Sequence, residues 1–222
     1  MTAVLLSALA LGLTGCGGGS ADSSGGVSSA ASPTPISSLR ESGDTPPVPP
    51  GCTSAALPAV YREDGRHSGA LSATAYSSSA DVQAALLYDQ YQSGLRAVFT
   101  RTAPAPRTRI TGVVSCVAMH FPTTEQAARF FSSYRYLRKQ AGRLARRLPI
   151  GASLGSATRS AAYLERRQSF RGYHIASTDV AEVAAQSGST LWIASVAARQ
   201  PSVSLARSLL VSMLRADARG AS

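Results

Sequence analysis

The apolar positions of this chain change period several times. Val82, Ala85, Leu86, Tyr91, Leu95 and Val98 recur at helical spacing behind Asp81, a residue able to cap a helix. That spacing predicts a helix weakened at Gly94 and ended before Pro104 and Pro106. Residues 109–121 then become β-branched, with Ile110, Val113, Val114 and Val117, and predict a central strand closed by Pro122. Thr123 with Gln126 three positions on has the form of a capping box. The stripe behind it, Ala127, Phe130, Phe131, Tyr134, Leu137, Ala141, Leu144 and Leu148, predicts a long helix stopped by Pro149 and Gly151. Strands are expected over about 159–165, 173–184 and 190–198, the last two joined by Ser187-Gly188 as an antiparallel hairpin. Pro201 at a first helical turn opens a final helix lined by Val203, Ala206, Leu209, Leu210 and Met213, with Gly220 just past its end. Between 53 and 80 the pattern is ambiguous; Glu63-Asp64-Gly65 reads as a turn and 70–76 as a short strand. These elements define an α+β domain, an antiparallel sheet of about four to six strands with three main helices packed on it.

Ahead of that domain the chain has a different character. Residues 2–15 are uncharged and mostly apolar, too short to span a bilayer as a stable helix but suited to the apolar region of a secretory signal. The run ends in Leu13-Thr14-Gly15-Cys16, which resembles a bacterial lipobox. The resemblance implies a lipoprotein signal peptide over 1–15, cleavage before Cys16 and acylation of Cys16. No Lys or Arg precedes the run, a departure from the basic n-region of such signals. Two or three acyl chains hold a protein on a membrane firmly where one does not. Residues 16–51 follow as the lipidated Cys and a Gly/Ser/Pro tether, too poor in apolar residues to bury a core. Residues 52–222 then form a single domain of ordinary size.

Charge and cysteine count sharpen this organisation. Residues 52–222 hold 21 basic and 9 acidic side chains, a balance that suits anionic neighbours. An export signal disfavours nucleic acid among them. Nearly all the positive charge is Arg, with Lys139 as the single Lys, and the chain has no Asn, a bias that fits a GC-rich genome. With Cys16 acylated, Cys52 and Cys116 remain in an oxidising compartment, where a disulfide is the default and two buried thiols the alternative.

Candidate chemistry is sparse. Gly151-Ala152-Ser153-Leu154-Gly155 fits the letters of a nucleophile elbow, but a helix precedes it and a strand follows, the reverse of what the motif needs. His174 also precedes Asp179, so a hydrolase using Ser153 is the remote reading. His67, His120 and His174 stand apart from one another and from any metal-ligand spacing. No cofactor and no metal are expected, and the chain reads as no enzyme. The basic stretch Arg129, Arg135, Arg138, Lys139, Arg143, Arg146 and Arg147 is the best local feature. A solvated helix end complementing the dipole accounts for it. Contact with anionic lipid or wall polymer through Arg135, Arg138, Lys139, Arg143, Arg146 and Arg147 is the functional alternative.

The 121–131 segment Phe-Pro-Thr-Thr-Glu-Gln-Ala-Ala-Arg-Phe-Phe and the later Gly-Ser-Thr-Leu-Trp-Ile-Ala-Ser-Val of 188–196 resemble a broad group of actinobacterial surface lipoproteins. The element order is also similar to extracellular sensor-type domains of mycobacterial kinases and to PsbP-like lipoproteins. The resemblance implies a lipid-anchored module on the extracytoplasmic face of the cell membrane. Such a module binds an unidentified protein or small-molecule ligand, and the resemblance carries no catalytic residues.

Overall fold

The computed structural model describes residues 47–103, 109–140, 145–150 and 154–220. Its centre is a pair of strands that are apolar on both faces. These are β4 (Ile110–His120) and β8 (Thr190–Ala198); all nine positions of β8 are buried. A strand covered on both sides needs no alternation, which is why both read as almost continuous apolar runs.

The other strands are β1 (Arg62–Glu63), β2 (Gly69–Ala70), β3 (Ser93–Thr102), β5 (Ala145–Leu148), β6 (Arg159–Phe170) and β7 (Tyr173–Ser187). All ladders are antiparallel, in the order β1-β3-β4-β8-β7-β6-β5, with β2 also paired to β3. Among the described residues the sheet therefore has eight strands, which corrects the expected four to six. Two misread segments account for most of the difference. Residues 93–102 continue the apolar spacing of the preceding helix, but α2 (Ala80–Tyr88) stops early, and Gln90 adopts a left-handed φ of 55°. Ala97, Val98 and Phe99 are all buried because β3 is covered on both faces, and three consecutive apolar residues fit a helix period as readily as a strand. At the other edge, α3 (Thr124–Gln140) ends before Leu148. Ala145–Leu148 pairs with β6 instead, so Leu148 belongs to a strand and not to the expected helical stripe, while Ala141 and Leu144 lie outside the described residues.

Two helical layers cover the sheet. On one face α4 (Val203–Gly220) lies over β7 and β8. Its Leu209, Leu210, Met213 and Leu214 press on Ala118, Ala185, Ala194, Val196 and Trp192. Small sheet residues leave room there for the large helix side chains, as dense packing requires. The entering chain joins this face from Val48 onward, and Cys52 and Cys116 are disulfide-bonded with Cα atoms 6.3 Å apart. Gly51 sits at φ +77°, and a Cβ there would lie 2.5 Å from the Ser212 carbonyl oxygen, so the close approach to α4 requires glycine. On the opposite face α1 (Ala73–Tyr76), α2 and α3 cover Val117, Met119, Ala161, Leu191 and Ile193. Thr123 caps α3: its Oγ1 accepts from the Gln126 N–H at 3.2 Å and donates to Gln126 Oε1 at 2.9 Å. Ser202 caps α4 through the Leu205 N–H at 3.1 Å.

Candidate functional site, an arginine-rich cleft on the α3 face

Strand periodicity places Val180, Glu182, Ala184 and Gln186 of β7 on the face that α3 covers. A carboxylate is thereby forced into the middle of the sheet. Register makes Ser115, Ser195 and Glu182 successive cross-strand neighbours, a polar rung between two apolar clusters on the same face. Ser115 and Ser195 are fully buried and Glu182 is 4% exposed. A buried carboxylate persists only when it is paired and hydrogen-bonded. Glu182 accepts from Tyr134 Oη at 2.6 Å and from Ser195 Oγ at 2.9 Å, and Arg138 Nη2 also donates to it. Arg138 Nη1 donates to Glu165, which accepts a second bond from Arg167 Nη2 at 2.9 Å. Three elements thus meet through charge: α3 supplies Tyr134 and Arg138, β6 supplies Glu165 and Arg167, and β7 supplies Glu182.

Burial alone pushes Glu182 upward, yet Arg138, Arg167, the Tyr134 hydroxyl and Arg171 together outweigh it and bring its pKa down to about 2. Burial and the Glu182 charge push Tyr134 well above its ordinary range. Burial disfavours the Arg138 cation, but Glu182, Tyr134 and Glu165 more than compensate and hold it charged.

The network opens into a cleft of about 870 Å³ bounded by α1, α2, α3 and the β6–β7 hairpin. Val82, Phe130, Leu137 and Phe170 form its apolar wall, and its charged lining is four guanidiniums (Arg138, Arg166, Arg167, Arg171) against two carboxylates (Glu165, Glu182). Arg166, at the outer rim, pairs with Asp179 at 3.2 Å. Arg171 is different. It and Gly172 form the two-residue turn between paired Phe170 and Tyr173, both with positive φ, 52° and 83°. Such hairpin turns favour Asn or Gly at their first position, and an Arg there is an uncommon choice. The turn folds Arg171 back over the rings of Tyr76 and Phe170, at 5.4 Å and 5.3 Å, with Nη1 donating to the Tyr76 carbonyl at 3.2 Å. Arg171 has no carboxylate partner among the described residues. The Nε atoms of Arg167 and Arg171 are buried without an acceptor.

The described residues of the basic stretch divide between α3 and β5. Arg135 is exposed on α3. Arg138 faces inward, 15% exposed, in the Glu165–Glu182 network. Arg146 and Arg147 belong to β5, and Arg135, Arg138 and Arg147 line a second groove of about 530 Å³. Arg129 pairs with Asp89 and Glu125. Cys16, Arg143 and Ser153 lie outside the described residues, as does the Lys139 side chain.

The histidines stay apart. His67 Nδ1 lies 3.0 Å from Asp64 Oδ2 and 3.0 Å from Tyr173 Oη, which also donates to Asp64. His120 Nδ1 lies 3.0 Å from Thr190 Oγ1, and His174 is exposed on β7. Among the described residues no group of three His, Cys, Asp or Glu side chains could hold a metal ion.

The sequence reading missed Glu165, Arg167, Arg171 and Glu182. One signal was present for Glu182, a lone acid at an inward position of the apolar run 180–185.

No family model matches the chain. No curated protein matches it. Among solved structures, it is similar to the extracellular domain of PknH from Mycobacterium tuberculosis, with a TM-score of 0.44 and 9% identity over 61% of this chain and 69% of that one. The disulfide fits an extracytoplasmic domain, since such bonds persist in oxidising compartments. Among the described residues no helix is long and apolar enough to cross a membrane.

Proposed function

We propose that the chain is an extracytoplasmic, non-enzymatic module that binds a small-molecule ligand in the cleft between α3 and the β6–β7 hairpin. The observation that carries this reading is the cleft itself. Its volume, about 870 Å³, lies within the range of small-molecule sites, and it combines an apolar wall with a few convergent polar groups. Lipid anchorage through Cys16 rests on the lipobox resemblance, and an oxidising location is supported by the Cys52–Cys116 bond. The second reading, electrostatic contact with anionic lipid or polymer, is favoured by the groove that Arg135, Arg138 and Arg147 line.

A fragment set screened by hydrogen exchange on the intact chain tests the reading. Bound fragments are expected to protect peptides containing Tyr76, Leu137 and residues 165–171, and Val82→Trp, which places a ring in the cleft, should abolish the protection. A chemically varied set that protects none of these peptides would remove the proposal.

A further inference from the structure

The cleft carries more positive charge than its own carboxylates neutralise, and the excess is localised. Glu182 is already paired with Arg138, and Glu165 is shared between Arg138 and Arg167. Arg171 is held by a carbonyl oxygen and two ring faces, and no described carboxylate forms an ion pair with it. Its Nε, like that of Arg167, is buried with no acceptor. Buried donors in a folded protein nearly always find a partner, so each of these two nitrogens calls for an acceptor that the described residues do not supply. A guanidinium presents parallel donors along one edge, matched to the paired oxygens of a carboxylate or phosphate. Burial lowers the pKa of Arg171, and the charges of Arg167 and Arg138 act in the same direction against Tyr76 and Glu182, so a bound anion would relieve repulsion already present. Beside these donors, Val82, Phe130 and Leu137 offer a surface to an apolar body. The unusual turn conformation at Arg171 fits the same purpose, since backbone held in a sparsely populated region points to a functional constraint.

We propose that the cleft selects a small organic anion, a carboxylate or phosphate ester with an apolar or aromatic body, whose charged end is bound by Arg171 and Arg167. This rests on the reading of the cleft as a ligand site and adds the class of ligand.

Benzoate, phenyl phosphate and neutral benzamide form a matched probe set for calorimetry and hydrogen exchange on the intact chain at fixed ionic strength. At least one anion is expected to bind in the cleft roughly tenfold or more tightly than benzamide, as charge-assisted bonds to a partly desolvated fork allow. Which anion binds more tightly separates a carboxylate from a phosphate ligand. Arg171→Met and Arg167→Met should each remove most of that preference while leaving benzamide binding within about twofold. Arg199→Gln, exposed and outside the cleft, should leave all three probes nearly unchanged. Equal binding of benzoate, phenyl phosphate and benzamide would overturn the anion assignment and leave the ligand site standing. Binding of none of them up to ~10 mM, where fragments of this size are expected to bind, would count against both. The comparison among probes on the unaltered protein stands even if a methionine variant fails to fold.

Discussion

The two faces of the sheet solve the same burial problem in different ways. On the α4 side the contact is apolar throughout, alanines and valines of the sheet against leucines and Met213, with the disulfide fastening the entering chain to β4. On the α3 side the apolar contact breaks in the middle, where Glu182, Ser115 and Ser195 interrupt it. An apolar replacement of a buried ion network is often neutral or stabilising, so such a network is poor evidence of a need for stability. The contrast assigns stability chiefly to the α4 face and places the candidate site on the α3 face.

The largest expected effect breaks the network from one side. Arg138→Ala leaves Glu182 buried without its main cation and should cost about 3–5 kcal/mol in urea unfolding. Arg138→Met combined with Glu182→Met should recover most of that loss, and a double change as damaging as the single one would contradict the contrast. On the other face, Cys52→Ala with Cys116→Ala opens a loop of sequence separation 64 and should cost about 4 kcal/mol in the chain-entropy model. Its effect should add to that of the Arg138 change, because the two sites lie on opposite sides of the sheet.

Acid should weaken the α3 face selectively. Glu182 ionises near 2 in the folded protein against an ordinary 4.5, so its contribution is fully present above about 4.5 and lost as pH falls toward 2. The loss is about 3 kcal/mol. Glu182→Gln should flatten the stability curve across that window; an unchanged slope would place the acid sensitivity elsewhere. The smallest effect sharpens the comparison at a helix end. Thr123→Ala should cost about 1 kcal/mol through the lost cap of α3 and leave ligand binding unchanged, as read by melting and by titration with benzoate.

The fold was legible where one pattern had one meaning. Thr190–Ala198 is a strand with the bounds that its apolar run predicts, Ser187-Gly188 is a hairpin turn, and Thr123 caps α3 through Gln126. It was illegible where burial on both faces removed the period, as along Ala97-Val98-Phe99, and where strands were two to four residues long, as in β1, β2 and β5. The site was less legible than the fold. Glu182 signals itself only as a charge at an inward position, and its partners come from Tyr134 and Arg138 more than 40 residues earlier. Arg138 belonged to a basic stretch whose simplest meaning was a solvated helix end; the register of β7 against α3 turned it inward. Arg171 shows nothing in the sequence beyond an Arg-Gly dipeptide between two strands.

The most direct test of the division between the faces is a variant whose α3-side ion network is made apolar throughout, with Arg138→Met, Glu165→Met, Arg167→Met, Glu182→Met, Tyr134→Phe and Ser195→Ala, measured for both urea stability and benzoate binding. The account predicts stability equal to or above that of the unaltered chain, together with loss of the preference for benzoate over benzamide. A variant that keeps the preference, or one that unfolds while a control set of polar surface changes does not, would contradict it.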